Sequence, residues 1–220
     1  MMVAGLDEAG RGAIIGPLIL CGIMVDESDI EKLVEIGVKD SKLLSKKRRV
    51  KLRDEILKIV SDYRITGIPP SEIDSAVRIH RFNHLEARYF SEIIDQLKPD
   101  IAYVDSPLRS YRRFSAMVES FCKWKCRVIA LCHADRDIPV VSAASIIAKT
   151  RRDEVIESYT RIYGELGSGY PSDRRTIEFL YNSLGKAEVD GIVRRSWRTY
   201  SSIIRMKRQT GIDGYLRLKN

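Results

Sequence analysis

Three apolar stretches of this chain run into acid. Val3-Ala4-Gly5-Leu6 is followed by Asp7 and Glu8, Ile101–Val104 by Asp105, and Cys126–Cys132, after the step His133-Ala134, by Asp135. A single Asp after a strand is usually a turn or helix-cap residue, and Asp135 has that alternative reading ahead of the helix that follows it. Three such ends together have another reading. In open α/β sheets, sites form beyond the carboxyl ends of the strands. Carboxylates gathered there repel one another and all stay ionised only beside cations. Oxygen ligands without a His/Cys set favour Mg²⁺ or Mn²⁺ over Zn²⁺. Two such ions clamp a phosphodiester, one activating water and the other supporting the leaving oxygen. The acids alone therefore point to a metal-dependent phosphodiester enzyme.

The elements that would position them are legible in part. Val3–Leu6 and Leu18–Val25 read as strands separated by the breakers Gly10, Gly12 and Gly16-Pro17. Ser45 caps a helix reaching about Val60, with Val50, Leu52, Ile56, Leu57 and Val60 at helical spacing. Tyr63–Ile68 alternates as a third strand and stops at Pro69-Pro70. Arg81–Leu97 is an amphipathic helix, Ile101–Val104 a short strand, and a helix follows to about Phe121. Cys126–Cys132 is nearly all apolar and is expected in the sheet interior. Val140–Tyr163 reads as a long helix, with further helical stretches near 173–184 and 196–206 and a polar, basic tail from Gln209. The first three strands can pair as a meander; the last two need helical crossovers and are expected to be parallel neighbours.

Lys and Arg exceed Asp and Glu for a formal net charge of +8, which favours a polyanionic partner, nucleic acid first. No apolar run approaches the roughly 18 residues of a spanning helix, so no membrane partner is expected. The start MMVAGLDEAG lacks the layout of a signal peptide. Cys21, Cys122, Cys126 and Cys132 show no CxxC spacing and read as reduced, mostly buried thiols, which implies a cytoplasmic location. His80 and His84 are spaced i, i+4, but HExxH is absent and no zinc site is expected.

An ordered set of longer motifs carries more. DEAGRG at 7–12, KDSK at 39–42, YVDSP at 103–107, HAD at 133–135, VSAASIIAK at 141–149, TRRD at 150–153 and SGYPSD at 168–173 resemble type 2 ribonuclease H (ribonuclease HII), its archaeal-type members above all. The resemblance covers most of residues 3–185. It implies an α/β ribonuclease H-like fold, a five-stranded mixed sheet flanked by helices, with a catalytic domain over 1–164, a helical C-terminal subdomain over 165–208 and a tail at 209–220. It implies cleavage of RNA in RNA/DNA hybrids and incision at single ribonucleotides in duplex DNA. The ends left would be 3′-hydroxyl and 5′-phosphate, in the service of ribonucleotide and RNA-primer removal. By analogy the protein would be a monomer.

Carried over by motif, the catalytic, metal-binding set is Asp7, Glu8, Asp105 and Asp135, with Asp153 as an auxiliary acid. The resemblance also implies that the Gly10-Arg11-Gly12 backbone lies along the ribonucleotide and reads its 2′-hydroxyl, the group that separates RNA from DNA. Tyr170 would stack on the sugar beside it. Read without the family, these are a tight turn and a loop anchor. Arg11, Lys42 and Lys149 are candidate phosphate contacts. The run Lys46–Arg49 is better read as a solvated helix start. Arg194, Arg195, Arg198, Arg205, Lys207 and Arg208 are expected to give the C-terminal part a basic surface that grips the duplex in a salt-sensitive way. Ala13 after GRG and Arg174 after SGYPSD depart from many relatives, beside functional loops. The tail QTGIDGYL looks like a sliding-clamp-binding peptide, with Gln209, Ile212, Tyr215 and Leu216 in its key places, although Leu216 stands where an aromatic is preferred; a docked C-terminal segment is the alternative.

Asp7 and Glu8 pose a geometric problem, because successive residues of a strand face opposite ways. If both bind metal, the strand is expected to end or bulge at Glu8, with Ala9-Gly10 starting a turn that brings its carboxylate round; regular extended geometry through Gly10, with Glu8 on the far face, would count against Glu8 as a ligand. Three rivals remain. A type 3 ribonuclease H carries an extra N-terminal domain, for which a DEAGRG beginning at residue 7 leaves no room. A silent nucleic-acid-binding module would lack one of the four acids. A transposase-like DNA nuclease would have no use for GRG or Tyr170.

Overall fold

A computed structural model describes residues 1–38 and 45–217, the side chains of 210–217 excepted. The two first apolar stretches form β1 (Met2–Ala9) and β2 (Leu18–Asp26), antiparallel from Met2↔Asp26 to Ala9↔Ile19. After α1 (Ile30–Glu35) and α2 (Lys46–Ile59), β3 (Asp62–Ile68) pairs antiparallel with β2 and completes the expected meander. α3 (Pro70–Arg78) and α4 (Phe82–Leu97) then cross to β4 (Ile101–Asp105), which lies parallel to β1. α5 (Tyr111–Phe121) crosses to β5 (Arg127–Leu131), parallel to β4. The sheet order is β3-β2-β1-β4-β5. The chain continues through α6 (Ala134–Asp137), α7 (Pro139–Tyr163), α8 (Arg174–Ser183), a 3-10 turn over Ala187–Ile192, and α9 (Arg198–Arg217).

Alternation sorts the sheet residues between two cores. Ala4, Leu6, Leu18, Leu20, Ala102 and Val104 face α4 and α5, against Phe90, Ile93 and Phe114. Val3, Ala9, Ile19, Cys21 and Ile23 face α7, α2 and α1, against Val140, Ile147, Leu52 and Leu33. α7 lies very close over β1: a Cβ on Gly5 would run into the Val140 backbone, so glycine sets that approach. The C-terminal helices share a third core with Ile14, Ile15 and Ile156 of α7, so the segment after residue 164 is fastened to the turn that follows β1.

Local chemistry marks the helix ends. The Ser45 hydroxyl accepts from the Arg48 N–H at the start of α2, and the Asp173 carboxylate from the Arg175 N–H at the start of α8. Pro70 and Pro139 occupy first-turn positions, where the missing N–H costs nothing. α3, hidden behind Pro69-Pro70 in the sequence reading, begins at such a proline.

Two expectations are corrected. β5 is an edge strand, not an interior one. Its apolar residues pack between helices, and α5 covers its open edge: the Glu119 carboxylate accepts from Val128 N–H at 3.1 Å and the Ser115 hydroxyl from Ala130 N–H at 2.8 Å. The thiols are free, but only Cys21 is buried; Cys132 is exposed at the end of β5. No described helix is long and apolar enough to cross a membrane.

Candidate active site

β1 and β4 pair as far as Leu6↔Val104, so Asp7 and Asp105 stand next in register, on the face covered by α7. Asp7 is 4% exposed, and its Oδ1 accepts from the Glu8 N–H at 2.7 Å. Asp105 ends β4, and its Oδ1 accepts from the Ala134 N–H at 2.7 Å, which fixes it to the head of α6. Asp135, in the first turn of α6, is also buried. Lys149 of α7 reaches it, with Nζ 3.8 Å from Oδ2.

Glu8 departs from the expected mechanism of convergence. β1 stays regular through Glu8↔Leu20 to Ala9↔Ile19, and the turn begins only at Gly10, whose φ is +90°. Glu8 therefore leaves the strand on the α4 face, opposite Asp7. Ligand oxygens of Asp7, Glu8 and Asp105 nonetheless lie within 4.8 Å of one another. The reason is the unequal length of the strands. Beyond Leu6, β1 has no paired neighbour on its β4 side, and carboxylates from both faces can meet around that free edge. Asp135 lies outside this tight group.

The electrostatics are those of a site short of positive charge. Burial, then the Asp105 charge, pushes the Asp7 carboxyl up to about 7, with Lys149 partly offsetting the rise. Burial, then Asp7 and Glu86, holds Glu8 well above the usual carboxylate range. Asp105 is also raised, by burial and by Asp135. Glu8 Oε2 is buried with no hydrogen-bond partner. An orphaned carboxylate oxygen among repelling acids is what a hard divalent cation would satisfy, so these residues fit such an ion. Among the described residues this is the one such acid group, and His80 and His84 form none.

The remaining candidates divide. Gly10 must be glycine, because its φ is positive and a Cβ would run into the Arg152 side chain. Gly12 is exposed, with open space around it. Tyr170 stands close by, since the Gly169 carbonyl accepts from both Ile14 N–H (2.8 Å) and Ile15 N–H (3.1 Å). Arg11 is turned away from a phosphate role: its guanidinium forks onto the wholly buried Glu86 at 2.8 and 3.0 Å, bonds Asn83 at 2.7 Å and lies 4.9 Å from the Phe82 ring centroid. Asp153 is held by Arg49 at 2.6 Å and is not part of the acid group. Lys46 pairs with Glu157. Lys42 lies outside the described residues, as do the side chains of Ile212, Tyr215 and Leu216; Gln209 is exposed on α9, whose backbone continues as helix through the tail positions up to Arg217.

The expected basic surface is corrected at one residue. Arg194 is fully buried, donating to the Gly16 carbonyl at 3.0 Å and the Arg11 carbonyl at 2.9 Å. Arg195 is paired with Asp190. Arg198, Arg205, Lys207 and Arg208 are exposed. Arg152, absent from the candidates, proves central. It is 4% exposed, its guanidinium carbon lies 4.5 Å from the Tyr170 ring centroid, and it donates to the Ser168 and Ile15 carbonyls. Within TRRD the sequence offers no signal that separates this arginine from its neighbour Arg151.

Residues 4–200 match the family model described as Ribonuclease HII. A ribonuclease HII of Pyrococcus horikoshii is 44% identical over 99% of this chain and 100% of its own length. The crystal structure of the ribonuclease H2 from Pyrococcus horikoshii OT3 superposes with a TM-score of 0.87 at 44% identity, over 94% of this chain and 99% of that one. A structure of the PCNA:RNase HII complex from Archaeoglobus fulgidus gives 0.83 at 40% identity, over 91% and 96%.

Proposed function

The chain belongs to the ribonuclease HII family and is a metal-dependent endoribonuclease; from that premise we propose that it cleaves RNA in RNA/DNA hybrids and incises duplex DNA at single embedded ribonucleotides. The observation that carries this reading is the adjacency of the Asp7, Glu8 and Asp105 oxygens, within 4.8 Å, to a glycine turn whose Gly12 is open to a ligand. Asp7, Glu8, Asp105 and Asp135 would hold Mg²⁺ or Mn²⁺. Bound divalent cations supply a nucleophile at neutral pH and stabilise charge on the departing 3′-oxygen.

The chain's own part is positioning and charge. The ionised acids orient the cations. Lys149, beside Asp7 and Asp135, offsets part of their repulsion and faces the space a phosphate would enter. Gly10-Arg11-Gly12 offers backbone to the 2′-hydroxyl, and Tyr170 offers a ring to the neighbouring sugar. Arg11 acts through Glu86 as an anchor of that turn. The exposed Arg198, Arg205, Lys207 and Arg208 of α9 follow the duplex backbone. Such an activity would serve ribonucleotide and RNA-primer removal during DNA repair and replication in the cytoplasm. The clamp complex of the Archaeoglobus fulgidus relative supports a sliding-clamp contact through Gln209, Ile212, Tyr215 and Leu216.

One assay tests the reading. The protein is incubated with duplex DNA bearing one ribonucleotide, with a long hybrid and with all-DNA duplex, each with Mg²⁺, Mn²⁺ or chelator. The expected result is metal-dependent cleavage of the first two, on the 5′ side of the ribonucleotide, leaving 3′-hydroxyl ends. Cleavage of all-DNA duplex, or none beside a single ribonucleotide, would overturn it.

A further inference from the structure

The turn from Gly10 to Pro17 is held from beneath by two buried arginines that reach it from far along the chain. Arg194 donates to the Arg11 and Gly16 carbonyls, and its backbone N–H to the Ile14 carbonyl at 2.9 Å. Arg152 donates to the Ile15 carbonyl at 3.4 Å and, through both terminal nitrogens, to the Ser168 carbonyl at 3.2 Å. Among the described residues none of these side-chain bonds goes to a carboxylate. The two charges also repel: burial, then Arg152, lowers Arg194 to about 9. Arg152 Nε and Arg194 Nη2 are buried without a partner. Apolar side chains would fill this volume without that desolvation. What they could not do is pair the carbonyls.

The orientation of those carbonyls decides what the turn shows to solvent. A trans peptide is planar, so a carbonyl and the N–H that follows it point opposite ways. Arg194 draws the Arg11 carbonyl inward, so the Gly12 N–H of the same peptide points the opposite way, at a residue where an added Cβ would meet nothing within 4 Å. Arg152 fixes the second loop to the same frame. It stacks beneath Tyr170, packs under Gly10, and ties Ser168 to Ile15.

We propose that Arg152 and Arg194 are positioning residues for ribonucleotide recognition, holding the Gly10–Pro17 turn and Tyr170 as one rigid surface with the Gly12 N–H turned toward the substrate. This rests on the reading of that turn and Tyr170 as ribonucleotide contacts. The planar arginine fork is needed because each guanidinium bridges two carbonyls, which an ammonium cannot do in the same geometry. The burden falls on specificity. A single ribonucleotide presents one 2′-hydroxyl in one register, whereas a long hybrid presents one in every register. A loosened surface therefore costs the first substrate more.

The test uses the full chain with Arg152→Lys and Arg194→Lys, each checked by thermal melting and by calorimetric Mn²⁺ binding, which the acids alone should set. Cleavage is compared on duplex DNA with one ribonucleotide and on a long hybrid. Wild-type cleavage beside the single ribonucleotide is the control, and its absence counts against the reading of the turn, not against the arginines. The expected result is a fall in kcat of roughly tenfold or more on the single-ribonucleotide duplex, with a clearly smaller loss on the hybrid and unchanged Mn²⁺ affinity. Equal loss on both substrates, or no loss on either, overturns the proposal. Where a lysine variant does not fold, Arg152→Gln and Arg194→Gln retain amide donors for the carbonyls and are judged by the same two outcomes.

Discussion

Gly10 separates two clusters of like charge, one of buried and half-buried acids and one of buried arginines, that are stabilised in opposite ways. On one side Asp7, Glu8 and Asp105 crowd together with raised pKa values and an orphaned Glu8 oxygen. On the other, Arg152 and Arg194 lie buried with lowered pKa values, but their guanidinium groups reach backbone carbonyls. The acids have few internal donors and call for cations from outside. The arginines draw their partners from the fold and so shape it. On the proposed reading the first cluster is a place for a cation, and the second is scaffold for a recognition surface.

That contrast is broken most severely at Asp7. Asp7→Asn should lower kcat by on the order of a thousandfold or more while leaving hybrid affinity in a gel-shift assay nearly unchanged; near-wild-type turnover would place the chemistry elsewhere.

Next in size is a pH effect on the metal-free protein. The unfolded Asp7 pKa is near 3.8 and the folded one about 7. Between these values the folded state holds a proton that the unfolded state has lost, so stability falls as pH rises through this window. Melting in chelator should occur at lower temperature at pH 8 than at pH 5, by on the order of 5 °C. Mg²⁺ or Mn²⁺ should restore more at pH 8, where the acids are ionised; an equal metal effect at both pH values would contradict the charge-deficit account. Smallest is Arg11→Ala, which removes a partly exposed partner from the buried Glu86 carboxyl and should cost about 1 kcal/mol in denaturant unfolding. A salt-dependent loss of hybrid affinity without destabilisation would return Arg11 to phosphate binding.

The acids and the strands bearing them were legible because apolar runs and their ends are local features, as were the Ser45 cap and the meander. What escaped depends on distant partners. Arg11 reads as a phosphate ligand until Glu86, 75 positions on, appears beside it. Arg194 reads as surface charge until it meets Gly16, 178 positions away. β5 reads as interior because apolarity does not distinguish burial by flanking strands from burial by a helix whose side chains cap the edge. The bulge expected at Glu8 followed from alternation together with the resemblance-implied metal role of both acids; the pairing of β1 and β4 ends at Leu6, and that free edge could not be foreseen from either strand by itself.

The central claim is that Asp7 and Glu8, leaving opposite faces of one regular strand, serve a single cation site. Its most direct test is Mn²⁺ binding by titration calorimetry to the wild-type protein, Asp7→Asn and Glu8→Gln at pH 8. Each variant is predicted to bind Mn²⁺ at least roughly tenfold more weakly, given the loss of one charged ligand. Wild-type affinity in Glu8→Gln would contradict the claim and leave Glu8 as a half-buried acid outside the site.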